Sequence, residues 1–118
     1  VEIGTLVCNT TFRNPALLAR MADNVVDLSA GRLILGLGAG DFTTEHAAYG
    51  FDFERHVGRF ENALQILKPL LAGARLSHEG EFHRVVDAAL LPKSSFGAPP
   101  ILIGTLQGKP RMSRLAAQ

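Results

Sequence analysis

Three kinds of residue in this chain have the types and spacing for chemistry: glycines that expose backbone, carboxylates beyond a strand end, and imidazoles. The run Gly36-Leu37-Gly38-Ala39-Gly40-Asp41 follows an apolar segment. It invites a dinucleotide-binding reading, but that fingerprint needs G-x-G-x-x-G. From Gly36 the last position is Asp41, and from Gly38 it is Thr43, so the match fails both ways. What survives is a strand whose terminal glycines let something approach its backbone closely. That something is either a ligand or a neighbouring strand. Gly104-Thr105-Leu106-Gln107-Gly108-Lys109-Pro110 joins a strand to a helix. Such a turn either holds a phosphate on free N–H groups, with Lys109 and Arg111 adding positive charge, or is an ordinary connection. Asp41, Glu45 and His46 stand at or beyond a strand end, where α/β folds bind ligands. Carboxylates there are better candidates for function than the same residues on a helix face. The alternative for Glu45 is a helix cap or an ion pair with an arginine such as Arg59. His78 and His83 bracket a hairpin turn that supplies no third metal ligand by spacing, so a solvated edge and no metal site are expected. Cys8 either touches a ligand or is a buried, inert thiol.

These residues need elements to position them. Val1 to Val7 is apolar and β-prone and reads as a buried strand. Asn14-Pro15 is a helix start, with Asn as N-cap and Pro at the first helical position. Leu17, Leu18, Met21, Val25 and Leu28 then recur at helical spacing on one face. Gly31 is suited to the left-handed conformation that ends a helix. Leu33-Ile34-Leu35 opens a second buried strand leading into the glycine run. A short helix is expected over Thr44 to Ala48. Val57, Phe60, Leu64, Leu67 and Leu71 form a second amphipathic stripe. Pro69 should kink or shorten that helix. The charges from Arg55 to Lys68 read as a solvated face. Arg75 to Val86 reads as a hairpin, Ala88 to Pro100 as loop, Ile101-Leu102-Ile103 as a third strand, and a last helix begins near Pro110. Short, continuously apolar strands alternating with helices imply a parallel sheet covered on both faces. The class is α/β, either doubly wound or a (β/α) barrel.

Composition narrows the function. The chain has 118 residues, 47% hydrophobic and 19% charged, with a formal net charge of +1. That is ordinary globular composition, against disorder, collagen and coiled coil. Near-neutral charge gives no footprint for nucleic acid or an anionic membrane. A single cysteine forms no internal disulfide and suits a reducing compartment, so a cytoplasmic location is expected. No apolar stretch reaches the ~18 residues of a membrane span. Val1-Glu2-Ile3-Gly4 has no signal-peptide shape and reads like the middle of a strand.

Several stretches together resemble the luciferase-like monooxygenase family, in particular its branch using the deazaflavin coenzyme F420. They are Ile3-Gly4-Thr5-Leu6-Val7, Arg13-Asn14-Pro15-Ala16-Leu17-Leu18-Ala19, the run from Leu28 to Gly40, Glu45-His46-Ala47-Ala48-Tyr49-Gly50-Phe51, Arg59-Phe60-Glu61-Asn62-Ala63-Leu64-Gln65-Ile66-Leu67, Gly80-Glu81-Phe82 and Pro99-Pro100-Ile101-Leu102-Ile103-Gly104. The resemblance implies a (β/α)8 TIM barrel with its cofactor ring at the carboxyl ends of the strands. It implies that the first strand ends in a bulge, often with a non-prolyl cis peptide, placing Val7, Cys8 and Asn9 near the ring. Polar contacts to ring or substrate would come from Gly40, Asp41, Thr44 and Glu45, with Asp41 and Glu45 as catalytic residues. The cofactor phosphate would lie on Gly104, Thr105 and Gly108. Many members carry Trp at the position of Asp41, and a second glycine is common at that of Thr105. The implied chemistry is hydride transfer with F420 on a small-molecule substrate, the complete protein being a homo-oligomer. The alternatives are an FMN-dependent monooxygenase or a non-catalytic truncated fragment. A barrel of this kind takes ~250 residues and rarely fewer than ~200. Residues 1–118 are therefore expected to be the central fragment of one barrel domain, with an inserted hairpin, starting mid-strand and stopping inside a helix.

Overall fold

Asn14 and Pro15 start the first helix as their chemistry requires. The Asn14 side chain accepts hydrogen bonds from the N–H groups of Ala16 (2.9 Å) and Leu17 (3.3 Å), and Pro15 holds the first helical position. The computed structural model describes residues 1–105 and 110–118. In chain order the elements are β1 (Ile3–Gly4), β2 (Cys8–Asn9), a 3-10 turn (Thr10–Phe12), α1 (Pro15–Leu28), β3 (Leu33–Gly38), α2 (Thr43–Tyr49), α3 (His56–Leu71), β4 (Leu76–Glu79), β5 (Arg84–Ala88), β6 (Ile101–Ile103) and α4 (Pro110–Ala116). β3 is the centre of a parallel sheet, with β1 and β2 along one edge and β6 along the other. α1 is the crossover into β3. The crossover to β6 contains α3 and the antiparallel hairpin β4–β5. This is the expected α/β arrangement of parallel strands, helical crossovers and an inserted hairpin. Leu33, Leu35 and Leu37 are buried on one face, and on the other Gly36 and Gly38 are buried and Ile34 half-buried, as a strand covered on both faces must be.

The first strand departs from the expectation of one buried run. Ile3 and Gly4 pair with Leu33 and Ile34, whereas Cys8 and Asn9 pair with Leu37 and Gly38. From Gly4 to Cys8 the chain takes four steps while β3 takes three between Ile34 and Leu37. The extra residue is a bulge. Its Leu6–Val7 peptide is cis, and Ile3 and Leu6 are exposed.

Helix α1 also differs. Of its expected stripe only Leu18 is buried, while Leu17, Met21, Val25 and Leu28 are exposed. The buried face is Leu18, Ala19, Ala22 and Val26, because small alanines let the helix lie close to α3 and the sheet. Beside that face Asp23, itself buried, accepts from Lys93 Nζ (2.5 Å) and Ser94 N (3.1 Å), tying the loop before β6 to the helix. The α3 stripe is as expected. Phe60, Leu64, Leu67 and Leu71 are buried, joined by Ala63, Ile66 and Leu70. The helix runs only two residues past Pro69.

The charges from Arg55 to Lys68 stay largely solvated, as expected, and are drawn into ion pairs at that surface. Arg55 pairs with Glu81, Arg59 with Asp52 (2.9 Å), and Glu61 with Arg111 of α4. The Arg55 and Arg59 guanidinium groups lie over the Phe82 ring at 5.0 and 4.8 Å. Between them Asn62 Oδ1 accepts from the N–H groups of Phe82 (3.2 Å) and His83 (2.9 Å), and its Nδ2 meets His78 Nε2 at 2.7 Å. His78 and His83 are consequently half-buried rather than at a solvated edge. Burial, then the charges of Arg59 and His78, push the pKa of His83 below the ordinary imidazole value. The unfolded chain then takes up this proton first as pH falls. Stability present at neutral pH is lost as pH drops through about 6.5 and below. Urea midpoints measured at pH 7.5 and pH 5.5 should show that drop, and His83→Gln should make it shallower. An unchanged slope in the variant would assign the drop elsewhere. Among the described residues no helix is long and apolar enough to cross a membrane.

Candidate functional site

The carboxyl ends of β2, β3 and β6 and the start of α3 enclose a cavity of about 410 Å³. Its floor is built by the bulge. A Cβ on Gly36 would collide with the Thr5 carbonyl oxygen, and one on Gly38 would lie 2.7 Å from Val7 Cγ2. A Cβ on Gly104 would stand 3.1 Å from Val7 Cγ1. Gly36 and Gly38 therefore make room for the neighbouring strand, and the Val7 side chain is wedged between the ends of β3 and β6. This decides between the two readings of the glycine run. What reaches the backbone of β3 is the bulge, and the bulge in turn presents Leu6 and Val7 to the cavity.

Gly40 takes φ +80°, and a Cβ there would run into the Asn9 amide and His46 Nε2. Beneath it lies a fixed polar pair. Asn9 Oδ1 accepts from Thr11 N–H (3.0 Å), which turns Nδ2 toward His46 Nε2 (3.0 Å). His46 Nε2 is thus the acceptor, and Nδ1 carries the hydrogen toward the Asp52 carbonyl oxygen (3.4 Å). His46 is fully buried and packs against the rings of Phe12 (4.9 Å) and Phe53 (5.2 Å). It shapes the wall without lining the cavity.

Asp41, Phe42 and Glu45 form one rim. Glu45 sits in the first turn of α2, whose N-cap, Phe42, makes no side-chain capping bond. Arg59 is held by Asp52, so among the described residues Glu45 has neither structural role expected as its alternative. The cavity brings together Val7, Asn9, Gly40, Asp41, Glu45, Gly104 and Thr105. Two expected residues stand apart. Cys8 is half-buried against the core, as an inert thiol would be. Thr44 is exposed on α2 and does not line the cavity. Gly108 lies outside the described residues, as does Lys109. Two features change the reading of the phosphate turn. Gly104 N–H donates to the Leu37 carbonyl oxygen (2.8 Å), extending the ladder, so Gly104 offers the cavity its Cα and not a donor. Arg111 is taken by the Glu61 carboxylate, whose pKa this hydrogen bond lowers.

His56, Val57 and Met112 also line the cavity. The start of the α3 stripe at Val57 was the signal for the first two, since a helix beginning beyond a strand end points its first turn at the site. Nothing in the sequence marked Met112.

The family profile described as luciferase-like monooxygenase matches residues 1–118. The chain belongs to the luciferase-like monooxygenase family. It is 35% identical over 104 residues to the F420-dependent glucose-6-phosphate dehydrogenase of Segniliparus rotundus, covering 84% of this chain and 31% of that protein. It is 35% identical over 118 residues to the 5,10-methylenetetrahydromethanopterin reductase of Archaeoglobus fulgidus, covering 100% of this chain and 34% of that one. Among solved structures, the monooxygenase RslO1 from Streptomyces bottropensis superposes with a TM-score of 0.87 at 27% identity, over 99% of this chain and 36% of that one. The luciferase-like chain thus spans about a third of the length of the curated relatives it matches. Its parallel strands and crossovers are the corresponding part of the luciferase-like barrel.

Proposed function

We propose that the protein carrying this chain is a luciferase-like oxidoreductase that transfers hydride with coenzyme F420. The observation that carries this reading is the cavity floor. The Leu6–Val7 bulge, Ala39, Gly40 and Gly104 make an apolar surface, poor in side-chain bulk, that a planar ring can lie against. The name of the relative from Segniliparus rotundus supports F420 as that ring. Bound there, F420 supplies a carbon that accepts or returns hydride. Val7 supports the ring's face, and Asn9 and Gly40 border it. Gly104 and Thr105 border its phosphate. Asp41 and Glu45 hold or release the proton that accompanies the hydride. A cavity of about 410 Å³ suits a small-molecule substrate. The exposed apolar stripe on α1 supports assembly into a homo-oligomer, the lone cysteine a cytoplasmic setting, and the near-neutral charge a protein without nucleic-acid or membrane partners. The likeness to RslO1 favours one second reading, a monooxygenase, for which FMN is the cofactor that the family resemblance implies.

Fluorescence titration of the complete protein separates these readings. F420 is expected to bind more tightly than FMN. The reverse order favours the monooxygenase, and binding of neither removes both. With F420 bound, Asp41→Asn or Glu45→Gln should lower kcat by about a hundredfold or more while the cofactor Kd stays within about twofold. Unchanged kcat in both variants would take the proton role away from this rim.

A further inference from the structure

We propose that His56 anchors the substrate, its Nε2 accepting a hydrogen bond from a substrate hydroxyl, so that the cavity selects alcohols. This rests on the hydride-transfer reading above. His56 is the first residue of α3 and lines the cavity beside Val57. Its Nδ1 lies 3.2 Å from the Phe53 carbonyl oxygen. A carbonyl can only accept, so Nδ1 carries the hydrogen in the neutral ring. The Phe53 ring stacks on the imidazole at 4.3 Å between centroids with 22° between planes. One contact sets the tautomer and the other sets the plane. Nε2 is left as a lone-pair acceptor that has no hydrogen-bond partner among the described residues.

The other imidazoles show that this is not a general property of histidine in the fold. His46 and His78 have the same tautomer, but in each a carboxamide fills Nε2, Asn9 in one and Asn62 in the other. Of these three, His56 is the one whose Nε2 has no partner among the described residues. The ionisable groups among the described lining residues are Asp41, Glu45 and His56. The Glu45 carboxylate on the same rim is likewise a hydrogen-bond acceptor, so a substrate that meets both groups is a donor. Val57, Met112 and Phe42 supply apolar surface for its carbon skeleton. A neutral hydroxyl on an apolar body meets both demands. A carbonyl or ether oxygen in the same place would face Nε2 with two acceptors opposed.

The test uses the complete protein with F420 and a panel of small secondary alcohols. His56→Phe keeps a stacked ring and deletes the acceptor. It should raise KM by roughly tenfold, the worth of one hydrogen bond, with a smaller effect on kcat. His56→Gln, whose amide oxygen can accept, should recover part of that loss. A second readout needs no turnover. Diethyl pyrocarbonate, which attacks an unprotonated, accessible imidazole nitrogen, should modify His56 faster than His46 or His78, as mapped by mass spectrometry. An unchanged KM in His56→Phe, or a His56 that resists modification as His46 does, overturns the anchoring role while leaving F420 binding intact. A wild-type protein that binds neither F420 nor FMN overturns the parent reading, and this role with it.

Discussion

Gly36→Ala should unfold or severely destabilise the protein, although it adds a single methyl group. The methyl carbon would stand 1.8 Å from the Thr5 carbonyl oxygen. A backbone carbonyl cannot rotate aside as the tip of a side chain can. Thr5 also grips Gly36 in the other direction, its Oγ1 donating to the Gly36 carbonyl oxygen at 2.7 Å. Relief therefore requires the bulge to lift from β3, which moves Leu6 and Val7 at the cavity floor. The loss should be at least about 3 kcal/mol in urea denaturation, at the upper end for overpacking. F420 affinity should fall with it. Gly73→Ala is the control. Gly73 has φ +90° and nothing within 4 Å of its Cβ position, so its cost is conformational only, about 1 kcal/mol. If the two variants lose the same stability, close approach of the bulge is not what Gly36 serves.

Asp23→Ala is expected to cost about 3 kcal/mol, the low end for breaking a buried ion pair. The carboxylate is 2% exposed, and it gathers Lys93 Nζ (2.5 Å), Ser94 N (3.1 Å) and, more distantly, Arg20 Nη1 (3.5 Å). Removing it leaves Lys93 and the Ser94 N–H without their acceptor against an apolar helix face. The Lys93 side chain keeps 21% exposure and can turn to water, which is why the low end applies. Asp23→Asn should cost less, because an amide oxygen still accepts from Ser94. Lys93→Met in the Asp23→Ala background should recover part of the loss. A double-mutant cycle with zero coupling would show that the pair is incidental and that the loop from Ala89 to Pro100 is held by other contacts, such as those from Arg20 to the Leu91 and Pro92 carbonyl oxygens (3.2 and 2.8 Å).

Much of the site was legible in the residues. Asp41 and Glu45 stand beyond an apolar run that ends in glycine, and a parallel α/β order puts such residues at the ligand-binding end of the sheet. The cavity has both on its rim. The place of His56 at the start of α3 was legible but its role was not, because that role depends on the Phe53 carbonyl and ring and on a cavity made by three strands distant in sequence. Arg111 looked like a phosphate ligand from its place beside Pro110. Glu61, fifty residues earlier, takes it instead.

By itself the sequence determined what short-range physics decides. Asn14 caps a helix because its side chain reaches N–H groups two and three residues on. Val57, Phe60, Leu64 and Leu67 make a helix face because that spacing follows the helical repeat. The order of strands and crossovers followed from such local signals. Only the tertiary structure decided which face of α1 is buried, because Ala19 and Ala22 become the closer-packing side only once α3 is present. It also decided what the glycines of β3 accommodate. A glycine states that space is needed at its Cα, and only the neighbouring strand, shifted by one residue at its bulge, shows that Thr5 and Val7 fill that space.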